Sequence, residues 1–370
     1  VAGKARLRPD RAEAQPCPWP CRCRRAAVKA SQLHTASDRR DRFAGLDPKV
    51  WLDKSLLRTW VIAEPGLIIK VLRDPRAVIL SIDDMLDALE SAYGVEFPNV
   101  RFAARHLPLF LEGDRHAERR RSFSRYLAGR LAELDQRLPD LVQRHCRPLR
   151  DKRPVELVSE VTGPLVRDIN AVFVGRPLPD AIDRLDLLDL FALNKSLTRF
   201  KDLDRRVREA KDFLGADDDD EISLGNRFTA LAMGFETLMT MLTEGLHAAF
   251  RESASTGQPA VLPAHPIETG VPISYRRAAT NLEVDNCEFK AGDLLRLQLQ
   301  ALGYISNEAD RTWIFGAGAH SCIGKQASLK IWAELKQAFD GLQARGRVRS
   351  YDPVSSHYLL RYNVIHVEVE

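Results

Sequence analysis

One run of the chain dictates what it can fold into. Asn226 to Phe250, NRFTALAMGFETLMTMLTEGLHAAF, is long and mostly apolar. Leu231, Phe235, Leu238, Leu242 and Leu246 recur at helical spacing, while Met233, Met239 and Met241 fall on other faces. A helix apolar nearly all round does not rest on a surface. It runs through the middle of a domain. The chain has 370 residues, 45% of them hydrophobic, which is enough to enclose such a helix in one large core.

The pattern on either side fills in the class. Thr59 to Pro75, TWVIAEPGLIIKVLRDP, predicts a strand, a turn and a short helix that ends before Pro75. Helical patterns then dominate to about residue 250. After Ser274 the period changes to two. Leu282-Glu283-Val284, Cys287-Glu288-Phe289 and Leu295 to Leu299 alternate, with Asp285-Asn286 and Ala291-Gly292-Asp293 as turns. Asn363 to Glu370 alternates as well. The expected architecture is mainly α with a minor antiparallel β region, as a single domain over residues 46–370. Residues 1–45, rich in Arg, Ala and Pro, read as a disordered tail outside it. Cys17, Cys21 and Cys23 with His34 lack the paired spacing of a tetrahedral zinc set. The acidic run Asp217 to Glu221 reads as a solvated loop before a helix.

Composition excludes several functions. A net charge of +4, from 55 basic and 51 acidic residues, argues against wholesale nucleic-acid binding. No stretch approaches the roughly 20 continuous apolar residues of a membrane span, and the first residues lack the apolar core of a secretory signal. Six cysteines without a disulfide framework fit a reduced, cytoplasmic protein, expected to be a monomer.

The chemistry concentrates near the C-terminus. Phe315-Gly-Ala-Gly-Ala-His-Ser-Cys-Ile-Gly324 is a glycine-punctuated loop directly before the amphipathic run KQASLKIWAELKQAF. Gly316, Gly318 and Gly324 let the backbone turn tightly and approach a flat ligand. Cys322 therefore stands at the N-terminal end of a helix, where free N–H groups and the helix dipole favour a thiolate. A phosphate-binding loop fits less well, because Gly324-Lys325-Gln326 lacks the hydroxyl of the Gly-Lys-Ser/Thr pattern. A catalytic thiol with His320 as base fits less well too, since such partners usually converge from distant positions. A structural thiol is the plainest alternative.

The spacing Phe-x-x-Gly-x-His-x-Cys-x-Gly, Phe315 to Gly324, resembles the haem-binding loop of the cytochrome P450 family, the haem-thiolate monooxygenases. The resemblance implies a P450-like fold and haem b held through the Cys322 thiolate. Phe315, Gly316, Gly318, His320 and Gly324 then belong to the cofactor loop. Met233-Gly234-Phe235-Glu236-Thr237 occupies the place of the family's distal glycine, acid and threonine, with Met233 in place of the common alanine. Gly234 is expected to open room beside the iron, and Glu236 and Thr237 to pass protons to bound O2. His116 and Arg120, one helical turn apart, resemble the family's His-x-x-x-Arg pair that binds haem propionates. In Tyr275 to Thr280 the register Arg-x-Ala-Thr selects Arg277 over Arg276 as a further propionate ligand, and His320 joins this group.

Two departures stand out. The family carries Glu-x-x-Arg in a helix before the Arg277 segment, but here Glu268 is followed three residues later by Val271. Pro263, Pro266 and Pro272 argue against any regular helix there. The connection from Gln300 to the cysteine loop is also short, with Asp310-Arg311 as a remnant of the family's longer meander. The chain thus reads as a divergent or internally shortened relative.

The resemblance implies insertion of one oxygen atom from O2 into a small, largely apolar organic substrate. Electrons come from a separate ferredoxin- or flavodoxin-type partner, since no flavin or nicotinamide motif appears. Lys325, Lys330, Lys336 and Arg311 are expected to form a basic face for that partner. Segments around Phe102 to Leu111 and Leu190 to Phe200 are expected over the distal pocket, with Met233 and Phe235 crowding its ceiling. The alternative is a degenerate haem-binding or apo relative without monooxygenase activity, and a weaker one is a thiol enzyme using Cys322.

Overall fold

The computed structural model describes residues 49–53, 59–151, 153–179, 185, 187–191, 196–215, 220–268, 270–304, 308–355 and 360–370. The expected tail at 1–45, with Cys17, Cys21, Cys23 and His34, lies outside these residues, as do Asp217, Asp218 and Asp219. In chain order the helices are α1 (Pro65–Arg73), α2 (Ile82–Tyr93), α3 (Pro98–His106), α4 (Gly113–Cys146), α5 (Gly163–Val174), α6 (Leu197–Gly215), α7 (Glu221–Thr256) and α8 (Lys325–Asp340). The strands are β1 (Val50–Asp53), β2 (Thr59–Ile62), β3 (Ala77–Val78), β4 (Pro154–Glu156), β5 (Ile273–Ala278), β6 (Leu282–Val284), β7 (Cys287–Phe289), β8 (Leu294–Gln298), β9 (Gly346–Ser355) and β10 (Leu360–Val369).

Helix α7 organises the rest. The Asp220 carboxylate accepts from Ile222 N and Ser223 N at 3.1 Å each and starts the helix, as an N-cap should. Gly257, at φ +69°, ends it in the left-handed conformation. Its 36 residues make a rod about 54 Å long. Leu231, Phe235, Leu238, Leu242 and Leu246 are buried, as their spacing predicts.

The other side of α7 corrects the expectation of a helix apolar nearly all round. Glu236, Thr240, Thr243, Glu244 and His247 recur at three- and four-residue steps and so share one face. All but Glu236 are fully buried. Each meets a polar or aromatic neighbour suited to it, apart from the Thr240 hydroxyl, which has no hydrogen-bond partner. Thr243 Oγ1 and Thr162 Oγ1 are 2.7 Å apart. Tyr362 Oη donates to Glu244 Oε2 at 2.7 Å. Arg361 lies 3.6 Å from Glu236 Oε1. The His247 ring packs at 5.1 Å and 5.2 Å from those of Tyr351 and Tyr362. The methionines obscured this face in the sequence by making the run look uniformly apolar.

The β region forms three small sheets. One has the order β1-β2-β8-β5-β3, and within it β2 and β8 run parallel. That pair departs from the antiparallel expectation, and joins segments more than 230 residues apart in the chain. The second sheet is antiparallel, β4-β10-β9. The third is the β6-β7 hairpin, whose turn puts Asp285 and Asn286 at φ +49° and +62°, the values a two-residue type I′ turn demands.

Between α7 and β5, the described residues of 257–272 form no helix. Pro263, Pro266 and Pro272 account for this, and the segment is fastened to α8 instead. Leu262 N donates to Asp340 Oδ1 at 3.0 Å, and Trp332 Nε1 donates to Pro263 O at 3.0 Å. Farther along, Gly270 at φ +80° presses on α7, and a Cβ there would stand 2.9 Å from Thr240 Cβ. Glu268 is buried, and Val271 is partly exposed where an arginine was expected. Among the described residues, no helix is long and apolar enough to cross a membrane.

Candidate functional site

The cysteine loop is shaped by its glycines. Gly316 and Gly318 take φ +77° and +71°. At Gly318 a Cβ would fall 2.3 Å from Leu72 O, so only glycine lets the end of α1 close on the loop. Cys322 N donates back to Phe315 O at 2.8 Å, and Ser321 N to Gly318 O at 3.2 Å. Phe315 is buried beneath the loop. Gly324 then leads into α8, with Ser328 N bonded to Gly324 O at 2.8 Å.

Cys322 presents its side chain to an accessible surface. Yet burial pushes its thiol pKa up, against the opposing pull of the Gly324 amide, Arg120 and the Lys325 amide. Both hold if the sulfur lies on the wall of an internal space. Protein surrounds it, but it is not covered. Cys146 is different: it is fully buried on α4, and burial pushes its thiol up to about 12.

Beside the thiol stands a group of cations. The His116 ring lies 4.1 Å from that of His320, at 35°. His116 is buried, and its Nε2 has no hydrogen-bond partner. Burial pushes its pKa down to about 4, and the His320 and Arg120 charges push the same way. Arg120 donates through Nη1 to Ser321 O at 2.7 Å and through Nη2 to Ser321 Oγ at 3.3 Å. Burial lowers the Arg120 pKa, and Cys322 opposes that.

Arg276 and Arg277 alternate across β5. Arg276 lies opposite Leu295 on the inward face and is buried, whereas Arg277 points to solvent. The Arg-x-Ala-Thr register was one residue out, because strand alternation and not local similarity decides which side chain enters. Arg276 Nη1 donates to Ser274 Oγ and Tyr275 O, both at 2.8 Å. Burial pushes its pKa down to about 10, with Glu112 pulling the other way.

Glu112 is the carboxylate that faces these cations. Its Oε1 accepts from Ile79 N at 2.7 Å, and its Oε2 lies 3.3 Å from His320 Nε2. Burial would raise its pKa, but the His320 contact and the Ile79 amide outweigh that and hold it low. Two guanidiniums, two imidazoles and one carboxylate leave room for further negative charge. The orphaned His116 nitrogen, the desolvated Arg276 and the accessible thiol at a helix start together fit a haem with two propionates.

His116 gives this geometry a pH signature. Its ordinary pKa is 6.5, and the folded chain resists its protonation until about pH 4. The unfolded chain binds that proton first, so stability of the haem-free protein should fall as pH drops from about 6.5 to about 4. Thermal melts across that window check this, and a His116→Gln variant should show a flatter dependence.

The α7 residues behave differently from the loop. Thr237 Oγ1 donates to Met233 O at 2.7 Å, a back-bond within the helix. Gly234 turns its open side to α5, where a Cβ would lie 3.0 Å from Asn170 Oδ1, itself buried without a partner. The expected room beside an iron is therefore room for α5. Phe235 lies two positions from Thr237, hence on the other side of the helix, and joins the core. Helices α7 and α8 meet where Gly245 packs on Trp332, beyond Thr237.

The expected basic face is thinner than its lysines suggest. Lys330 pairs with Asp135 across to α4, and Lys336 with Asp340 along α8. The Arg311 side chain lies outside the description, as do residues 192–195 of the expected pocket segment. Arg121 and Arg125 are exposed on α4. Sequence reasoning missed Arg276, Glu112 and Ser321. Period-two counting from buried Ala278 points to Arg276. Glu112, immediately before α4, carries a position signal only, and Ser321 carries none.

No family model matches the sequence, and no curated protein sequence matches it. Solved structures do. A cytochrome P450-153 from Novosphingobium aromaticivorans aligns with TM-score 0.69 at 16% identity, covering 92% of this chain and 98% of that one. P450BioI, in complex with an acyl carrier protein ligated to hexadec-9Z-enoic acid, aligns with TM-score 0.68 at 13% identity, covering 90% and 97%. CYP109E1 from Bacillus megaterium, in complex with testosterone, aligns with TM-score 0.66 at 14% identity, covering 90% and 99%. With the helices, the mixed sheet and the cysteine loop arranged as above, the chain is P450-like and carries the cytochrome P450 fold.

Proposed function

We propose that the protein is a haem-thiolate monooxygenase that inserts one oxygen atom from O2 into a small, largely apolar organic substrate. The observation that carries this reading is Cys322, accessible on an internal wall at the start of α8, beside His116, His320, Arg120 and Arg276. Haem bound there supplies the oxygen activation that side chains alone lack.

The residues have distinct work. The Cys322 thiolate is stabilised by the amides of Gly324 and Lys325 and by the Arg120 charge. His116, His320, Arg120 and Arg276 hold the two propionates, and Glu112 orients His320 from behind. Phe315, Gly316, Gly318 and Gly324 shape the loop that a flat ring approaches. On α7, Thr237 and Glu236 hold and pass protons toward O2, while Gly234 sets the approach of α5. Electrons arrive from a separate ferredoxin- or flavodoxin-type donor, for which Lys325, Arg121 and Arg125 offer positive charge. A fatty acyl chain and a steroid in two of the similar structures agree with an apolar substrate.

A second reading is a haem-binding or apo relative without monooxygenase activity. The helix-free segment 257–272, with Val271 where an arginine was expected, favours it. One spectrum separates the two. The purified protein, supplied with haem, reduced and exposed to carbon monoxide, should give the red-shifted Soret band of thiolate ligation. Failure to take up haem, or a band of the histidine-ligated kind, overturns the proposal.

A further inference from the structure

The cysteine loop is held from outside at two neighbouring residues, and both holds come from the start of α4. His320 meets Glu112, and Ser321 receives both terminal nitrogens of Arg120. The second hold is the closer. One N–H meets the Ser321 carbonyl at 2.7 Å, the other its hydroxyl at 3.3 Å, so the planar guanidinium is fixed in orientation by a single residue. Without the hydroxyl, one N–H of a half-buried cation loses its partner, and the fork can swing about the remaining bond. The residue that makes the fork bidentate is the one directly before the thiol.

We propose that Ser321 is a positioning residue: by clasping Arg120 it sets both the conformation of the cysteine loop and the reduction potential of the haem that the loop holds. This rests on the proposed haem-thiolate reading for its second half only. The electrostatic sense is fixed. A cation held near the thiolate stabilises negative charge there, and so favours the reduced over the oxidised iron. Arg120 locked on Ser321 gives that charge one position; a loose Arg120 spreads it toward solvent, where screening weakens it.

The test uses Ser321→Ala, Ser321→Thr and Arg120→Gln with the full chain. In the haem-free protein, amide hydrogen exchange over residues 316–324 should quicken in Ser321→Ala and Arg120→Gln and stay near wild type in Ser321→Thr. With haem bound, redox titration against a reference dye should shift several-fold toward the oxidised form in Ser321→Ala, further in Arg120→Gln, and return in Ser321→Thr. Unchanged exchange in Ser321→Ala overturns the clasp whether or not haem binds. An unchanged redox equilibrium with an intact thiolate band overturns its electronic role. Absence of a thiolate band in the wild type instead removes the functional reading and leaves the exchange result to decide the clasp.

Discussion

Replacing Cys322 with alanine should abolish the red-shifted carbon monoxide band completely, and with it any oxygen insertion. The loss is all-or-none because the ligand, not its surroundings, is removed. Cys287 lies on β7, in the outlying hairpin, and Cys146 is buried on α4 with its thiol pushed up to about 12, a state that resists giving a thiolate. Neither is placed to substitute. Cys146→Ala is the matched control: it should keep the band and lower the melting temperature, because a packed side chain is lost from the core. A Cys322→Ala protein that keeps the thiolate spectrum would falsify the assignment of the ligand.

The second large effect separates two adjacent arginines. Arg276→Ala should weaken haem binding about 10- to 100-fold, the range for losing a charge-assisted hydrogen bond in a desolvated site. The same change should leave the haem-free protein as stable as wild type or more so. Burial already pushes the Arg276 pKa down to about 10, and its close contacts are only the Ser274 hydroxyl and the Tyr275 carbonyl. Arg277→Ala, on the solvent side of the same strand, should alter neither quantity. Haem titration of the haem-free proteins, paired with thermal melts, reads both. Equal effects from the two substitutions would mean that strand alternation does not govern access to the site.

These two arginines also show how far the sequence could be read. The fold class was legible because helical and alternating periods are long-range patterns that survive individual exceptions, and the helix-free segment was legible because Pro263, Pro266 and Pro272 forbid hydrogen bonds outright. Cys322, His116, Arg120 and His320 were legible because their spacing is local. What stayed hidden depends on contacts between distant segments. Arg276 faces inward because β5 pairs with β8, Glu112 matters because it meets His320, and Gly234 makes room for Asn170 on α5. The parallel β2–β8 pairing is of the same kind, since nothing in either strand names its neighbour.

The buried polar side of α7 has a consequence beyond chemistry. A cylinder coated evenly with leucine and methionine fits its sleeve at many rotations, at little cost for slipping between them. Helix α7 does not have that freedom. Turning it by one residue would part Glu244 from Tyr362 and Thr243 from Thr162, and each buried polar group so stranded costs about 1–3 kcal/mol. Those pairs act as keyways that index the rod, and the index reaches two turns back along it. The angle at which Thr237 and Glu236 are presented is set at the far end of the helix, by a tyrosine and a threonine that never approach them.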